Sequence, residues 1–186
     1  MLPPCPAPFN LARYVLAAGA ATPDKIALAV LGPSRAERWS YGRLTGAVRG
    51  VAAGLLAEGL APGDRVLLRL GDTADFPLTF LGAIAAGLVP VPTSAQLTGP
   101  EMTRLAEALQ PALTIAAPDI ARPGGGPVLP VRALREMHAL DPAPWHMGDP
   151  NRPGYIVFTS GTSGVARGVV HAHRAIWARR SMWQGW

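Results

Sequence analysis

Between Arg65 and Ala116 the chain alternates between two apolar periods, and that rhythm restricts its fold more than any other feature. Arg65 to Leu70 is a short, mostly apolar run entered from the turn residues Pro62-Gly63-Asp64 and reads as a strand. Phe76, Phe80, Leu81, Ile84 and Leu88 then recur at helical spacing, with Pro77 suited to a first turn and Gly87 to a C-terminal stop. Val89 to Val91 reads as a second strand. Leu97 to Leu109 reads as a second helix, with Thr98 at the N-cap and Glu101 three residues later completing a capping box. Leu113 to Ala116 is a third strand. Strands separated by helices of this length require right-handed crossovers, so the expected fold class is α/β, a mostly parallel Rossmann-like sheet flanked by helices.

The upstream segment extends the pattern. Asn10 is placed to cap a helix carrying Leu11, Tyr14, Val15 and Ala18 on one face; Ile26 to Leu31 reads as a strand. Gly32-Pro33 turns the chain toward another strand near Arg38 to Ser40, and a helix with the stripe Leu44, Val48, Val51 and Leu55 begins at about Tyr41. Residues 1–10 are expected to be a flexible N-terminus. Ala116 to Asp149, with its Gly124-Gly125-Gly126 run, reads as irregular apart from a short helix near Val131 to Leu140.

The uncharged stretch from Phe76 to Gln96 invites comparison with a membrane span, but Pro77, Pro90, Pro92, Gly82 and Gly87 favour a buried helix followed by a strand. No secretory leader is evident in Met1 to Asn10, and Cys5 is the single cysteine, so a reducing, cytoplasmic setting is the expectation.

The chemistry concentrates further along. Tyr155, Ile156, Val157 and Phe158 form a strand that opens into Thr159, Ser160, Gly161, Thr162, Ser163, Gly164, Val165, Ala166, Arg167 and Gly168, after which Val169, Val170 and Ile176 signal renewed regular structure. Glycine lets the backbone approach a ligand, successive N–H groups converge on an anion, and the hydroxyls add donors. Arg167 supplies a planar fork of donors matched to phosphate oxygens. The same residues also suit an ordinary surface turn. Two better-known motifs are excluded: Arg167 is followed by Gly168 and Val169 rather than the Ser or Thr of a Walker A loop, and Val165 stands where a nucleophile elbow needs its last glycine.

Thr159, Ser160, Gly161, Thr162, Gly164, Gly168 and Val169 match the pattern Tyr-Thr-Ser-Gly-Thr-Thr-Gly-x-Pro-Lys-Gly-Val, and His171-Ala172-His173-Arg174 continues it. The chain thereby resembles the adenylate-forming superfamily of acyl-CoA synthetases, aryl-CoA ligases and nonribosomal adenylation domains, with the continuation resembling the acyl-CoA and benzoate-CoA ligase branches. Arg65 to Leu70, Phe80 to Ala83 and Gly87 to Pro92 also resemble the first subdomain of acyl-CoA synthetases. Two positions depart from the signature: Ala166 replaces its Pro and Arg167 its Lys. Lys25 is the one lysine among 17 cationic residues, so an arginine bias across the chain accounts for the second.

The resemblance implies ATP-dependent activation of a small carboxylic acid to an acyl-adenylate, then transfer to coenzyme A, with Mg²⁺ accompanying the nucleotide. It implies that Thr159, Ser160, Gly161, Thr162, Ser163, Gly164 and Arg167 bind the nucleotide phosphates, with Thr162 and Arg167 acting on the leaving pyrophosphate. It further implies that residues 11–186 are part of the N-terminal domain of such an enzyme, with a phosphate loop at 159–168, because the segments for adenine, ribose and the acyl pocket and the C-terminal domain are missing. A nonribosomal-type adenylation domain and a non-catalytic fragment that folds or weakly binds nucleotide are the alternatives.

The remaining candidates have simpler explanations. His171 and His173 alternate and could share a face, but without neighbouring Cys, Asp or Glu they make a thin ligand set, so packing or support of the loop is expected rather than a metal site. The net charge of +5 and the cluster Arg174, Arg179, Arg180 come with no nucleic-acid motif, and no nucleic-acid partner is expected. Asp72 and Asp75 are read as caps of the following helix, and Asp149 as a turn residue.

Overall fold

The structure, a computed structural model, describes residues 4–32, 36–159 and 167–183. Helix α1 (Leu11–Leu16) is followed by strands β1 (Ile26–Leu31) and β2 (Ala36–Ser40), helix α2 (Tyr41–Ala57), strand β3 (Arg65–Arg69), helix α3 (Asp75–Ala85) and strand β4 (Val89–Pro92). Helix α4 (Gly99–Leu109), strands β5 (Leu113–Ala116) and β6 (Val128–Pro130), helix α5 (Val131–Glu136), strands β7 (Pro153–Thr159) and β8 (Arg167–Ala172) and helix α6 (Arg174–Trp183) complete it.

The expected parallel sheet is present, in the order β4-β3-β5-β6 with every pairing parallel. Two antiparallel pairs accompany it, β1 with β2 and β7 with β8. Strand β7 runs alongside β4, which carries the second pair to the edge of the sheet.

Alternation along β3 divides the interior into two. Val66 and Leu68 face one cluster, packed with Leu78 and Ile84 of α3 and Val48, Val51 and Leu55 of α2. Leu67 faces the other, with Val91 of β4 and Met102, Leu105 and Leu109 of α4. Helices α3 and α4 therefore cover opposite faces, as two successive crossovers in different directions from a central strand require. Helix α3 lies close against α2 because Gly82 has no side chain: a Cβ there would come within 2.6 Å of a Val51 methyl.

Local signals explain most boundaries. Asn10 is buried; its Oδ1 accepts from Arg13 N–H at 3.1 Å and caps α1, while its Nδ2 donates to the carbonyls of Ile84 and His146, both at 2.9 Å. The capping residue thus also ties α1 to the end of α3. Next to it, the buried Phe9 exchanges backbone hydrogen bonds with Gly148. Helix α3 stops at Gly87, whose φ of +82° is the left-handed conformation that glycine adopts without strain. At α4 the Glu101 carboxylate accepts from Thr98 N–H at 2.8 Å, which pulls its pKa below the usual carboxylate range.

Three expectations change. Helix α1 ends at Leu16 and tightens into a 3₁₀ turn at Ala17–Ala21, so Ala18 is not part of an α-helical stripe. The segment read as irregular contains β6, an edge strand whose Val128, Leu129 and Pro130 follow a glycine-rich run; proline is tolerated there because its missing N–H faces no partner strand. Asp75 is not a cap. It lies in the first turn of α3, nearly buried, and takes a 2.7 Å ion pair from Arg135 of α5.

Candidate functional site

Beyond the carboxyl ends of β3, β4 and β7 lies an open cleft of about 840 Å³. Its floor and walls come from Leu70 and Asp72 after β3, Pro92 to Leu97 after β4, Glu101 and Leu105 of α4, Phe76 of α3, and Val157, Phe158 and Thr159 at the end of β7. Open parallel sheets bind ligands outside the carboxyl ends of their strands, where connections leaving in different directions open a crevice. The volume suits a small organic ligand, and the lining mixes apolar side chains with a few polar ones.

The β7–β8 pair is held against α3 by a chain of aromatic contacts. Phe76 and Phe80 lie with centroids 6.0 Å apart, Phe80 meets Tyr155 edge-on at 5.4 Å, and Tyr155 stacks on His171 at 4.6 Å with only 9° between the planes. Ile156 and Phe158 point the other way, onto the cluster under α4. Alternate residues of β7 thus grip both faces of the sheet and fix where the strand ends.

Thr159 and Arg167 are directly opposite in the antiparallel register, and Thr159 Oγ1 donates to the Arg167 carbonyl at 3.5 Å. Both are exposed, and Thr159 lines the cleft. The expected loop residues Ser160, Gly161, Thr162, Ser163 and Gly164 lie outside the described residues, as do Val165 and Ala166. Among the described residues no carboxylate pairs with Arg167. Thr159 thus brings a hydroxyl to the edge of the cleft, and Arg167 faces it from the neighbouring strand.

The wall that faces β7 depends on a residue that the sequence reading passed over. Arg69, the last residue of β3, is fully buried, and its guanidinium donates to the carbonyls of Ala121 (2.6 Å), Ala95 (3.5 Å), Leu97 (3.0 Å) and Ser94 and to Thr93 Oγ1 (3.1 Å). Burial pulls its pKa down, yet arginine stays charged throughout the physiological range. The sequence signal for it was present: a cation inside an otherwise apolar strand of an open parallel sheet needs a polar destination.

His171 and His173 are engaged separately, His171 in the stack on Tyr155 and His173 against α1. His173 sits in the turn after β8, fully buried, and accepts from Leu11 N–H at 3.1 Å through Nδ1, so it helps to cap α1; burial, with Arg152 and His146 nearby, pushes its pKa down to about 4. Among the described residues no group of three His, Cys, Asp or Glu side chains could hold a metal ion, and no helix is long and apolar enough to cross a membrane. Arg180 lies over the Tyr14 ring at 5.1 Å, which takes one cation of the C-terminal cluster into contact with α1. A second cavity of about 420 Å³, beside Trp39, Arg43 and His138, holds the Asp75–Arg135 pair, where each charge already has its partner.

Comparison with known proteins places this geometry. Residues 16–186 match the family described as AMP-binding enzyme. The chain is 32% identical over 167 residues to a long-chain-fatty-acid–CoA ligase, FadD13, of Mycobacterium tuberculosis, an alignment covering 81% of this chain and 33% of that protein. It is 31% identical over 169 residues to a 4-hydroxybenzoate–CoA/benzoate–CoA ligase of Rhodopseudomonas palustris, covering 78% of this chain and 30% of that one. The solved structure of a benzoate CoA ligase from Burkholderia xenovorans LB400 superposes with a TM-score of 0.79 at 23% identity, covering 91% of this chain and 36% of that chain, which shows a shared fold. The chain spans about a third of the length of these ligases.

Proposed function

We infer the role of this chain from the family to which it belongs, the AMP-binding enzymes: it supplies the phosphate-binding part of an AMP-forming acid–CoA ligase. In the intact enzyme a carboxylate oxygen attacks the α-phosphorus of ATP and the bond to the β-phosphate breaks, giving an acyl-adenylate and pyrophosphate. The thiol of coenzyme A, losing its proton, then attacks the acyl carbon and AMP departs with the bonding electrons. The rate of such steps rests on alignment and on fixed groups that meet charge as it moves to the leaving group.

The observation that carries the reading is the position of Thr159 and Arg167 across the end of a strand pair that opens onto a cleft at the carboxyl edge of the sheet. The Thr159 hydroxyl and the backbone N–H groups of the 159–168 segment would orient the phosphates. Thr162 would donate to the departing pyrophosphate, and Arg167 would offset its charge with a bidentate contact. Ser160, Gly161, Ser163 and Gly164 complete the proposed phosphate-binding set. Mg²⁺ would enter as the counter-ion of the nucleotide, held mainly by phosphate oxygens as that ion commonly is. Phe76, Leu97, Leu105 and Phe158 give the cleft an apolar side on which an acyl or aryl group could rest. The substrate class proposed is a small carboxylic acid; both CoA ligases above support a carboxylic acid, and the benzoate ligase supports a small one.

Carboxylate-dependent exchange of labelled pyrophosphate into ATP tests this, measured on the longest polypeptide containing the segment with benzoate, acetate and medium-chain acids. Exchange with at least one acid, reduced ten- to a hundredfold by Arg167→Ala or Thr162→Val, is the expected outcome. Exchange that both variants leave unchanged would overturn the assigned roles, and absence of exchange with every acid would overturn the activity.

A further inference from the structure

We propose that Arg69 is a positioning residue that sets the shape of the cleft, and thereby its choice of acid, by clamping the Thr93–Leu97 wall to the loop after β5. Its links to acid selection rest on the ligase reading above; its role as a clamp does not.

The geometry is specific. A guanidinium has five N–H donors in one plane. Here each has an acceptor: Nε donates to Ala121 O, one terminal nitrogen to Thr93 Oγ1 and Ser94 O, and the other to Ala95 O and Leu97 O. Four consecutive-to-near residues after β4 and one residue after β5 are therefore gathered around a single side chain at the end of β3, the central strand that pairs with both β4 and β5. Thr93 repeats the attachment, donating its hydroxyl to Leu68 O at 3.1 Å.

Packing does not account for this residue. Arg69 emerges on the same face as Leu67, whose neighbours are Val91, Met102 and Leu105, and among the described residues no carboxylate neutralises it. An unpaired buried cation is costly, and an apolar side chain of similar volume would satisfy the strand equally well. What only the charged fork supplies is simultaneous donation to two loops. Those two loops are the ones that leave the carboxyl ends of β4 and β5, and Thr93 to Leu97 all line the cleft. Because all five donors are occupied inside the protein, Arg69 acts on a ligand through the wall rather than by touching it.

The test uses Arg69→Met, which keeps the volume, and Arg69→Lys, which keeps the charge without the fork. In this chain, amide hydrogen exchange is followed at Gln96 and Leu97, whose N–H groups bond Ser94, against Val89, whose N–H bonds Asp64. Arg69→Met should speed exchange at Gln96 and Leu97 at least tenfold with Val89 within twofold of the wild type, and Arg69→Lys should fall between. In the longest polypeptide, Arg69→Met should change the ratio of KM values for benzoate and a medium-chain acid at least fivefold while kcat stays within about twofold, with Arg69→Lys restoring part of the ratio. Equal exchange at Gln96 and Leu97 in the wild type and Arg69→Met would overturn the clamp, as would parallel loss of protection at all three amides. An unchanged KM ratio would overturn the link to acid selection. If the wild type catalyses no exchange, the ligase reading fails while the hydrogen-exchange arm still decides the clamp.

Discussion

The two faces of the central sheet are built for different work, although one strand supplies both. On the α2 and α3 side, Val66 and Leu68 of β3 meet a large apolar cluster that also takes in Phe9, Trp39, Leu88 and Leu134 from distant parts of the chain. On the α4 side, Leu67 and Val91 meet a smaller cluster of Met102, Leu105 and Leu109 with Leu97, Ile156 and Phe158 packed against it, and the row ends at the carboxyl edge of the strand in Arg69 and an open cleft. A strand presents successive side chains to opposite faces, so its two-residue period lets odd and even positions serve stability and binding separately. The closed face carries most of the fold, and the open face can give up packing for a ligand.

If that division holds, truncation on the closed face must be the more expensive. Leu68→Ala is expected to cost about 3–5 kcal/mol, because the surrounding cluster restricts collapse into the cavity, whereas Leu105→Ala, which lines the cleft, is expected to cost about 2–3 kcal/mol. Midpoints in urea, compared at unchanged m-values, measure both. Equal losses would break the comparison.

Acid should open the closed face where β8 meets α1. His173 is neutral in the fold with a pKa of about 4, against about 6.5 when exposed. Between those values the unfolded chain takes up a proton that the native state does not, so stability is full above about pH 6.5 and falls as the pH drops toward 4. The loss from His173 approaches about 3 kcal/mol, and that share should disappear in His173→Gln. His138 and His146, whose pKa values burial also pushes down, add to the slope with the same sign. Unfolding free energies from pH 7 to 4.5 decide it; a flat profile would remove His173 as the neutral cap of α1.

What could be read from the sequence follows the same division. The closed face was legible because its evidence is periodic: the α2 stripe Leu44, Val48, Val51 and Leu55 is buried throughout, and α3, β3, β4 and β5 lie where alternation put them. The Thr98–Glu101 box and the Gly87 stop were legible because each is a local contact between near neighbours. The cleft was not, since its lining comes from loops after several strands and no periodicity links Leu70, Thr93 and Thr159. Arg69 and the Asp75–Arg135 pair failed for a related reason: their partners lie 24 to 60 residues away, beyond any local pattern. Strand β6 was hidden by its shortness and by Pro130. Of the expected phosphate loop, only Thr159, Arg167 and Gly168 fall among the described residues.

Arg135→Ala probes the closed face where it is least apolar. Asp75 is almost completely covered, and both its oxygens accept from Arg135, at 2.7 to 3.3 Å. Removing the arginine strands a carboxylate at the start of α3. A fully buried pair would lose more, but the Arg135 side chain is 60% exposed, so the expected cost is about 2–3 kcal/mol. Asp75→Asn should cost less than Arg135→Ala, because the amide can keep one hydrogen bond without an unpaired charge. Chemical denaturation of both variants at low and high salt checks the order.

The smallest effect should come at the joint between the faces. Gly87 ends α3 on the closed side and starts the chain into β4, which carries the Thr93–Leu97 wall of the cleft on the other. A side chain here faces two difficulties: the +82° φ, and a Cβ position only 2.4 Å from His146 Cδ2. The first costs about 1–2 kcal/mol for alanine. The second is partly relieved, since the His146 ring can rotate away, but His146 also supplies the carbonyl that accepts from Asn10 and Arg152. Gly87→Ala should therefore lower the unfolding midpoint modestly while loosening the Asn10 cap. Thermal melts combined with amide exchange at Arg13, whose N–H bonds Asn10, would show it: faster exchange there places the strain on the closed face, whereas faster exchange confined to Gln96 and Leu97 would mean that β4 transmits it to the cleft.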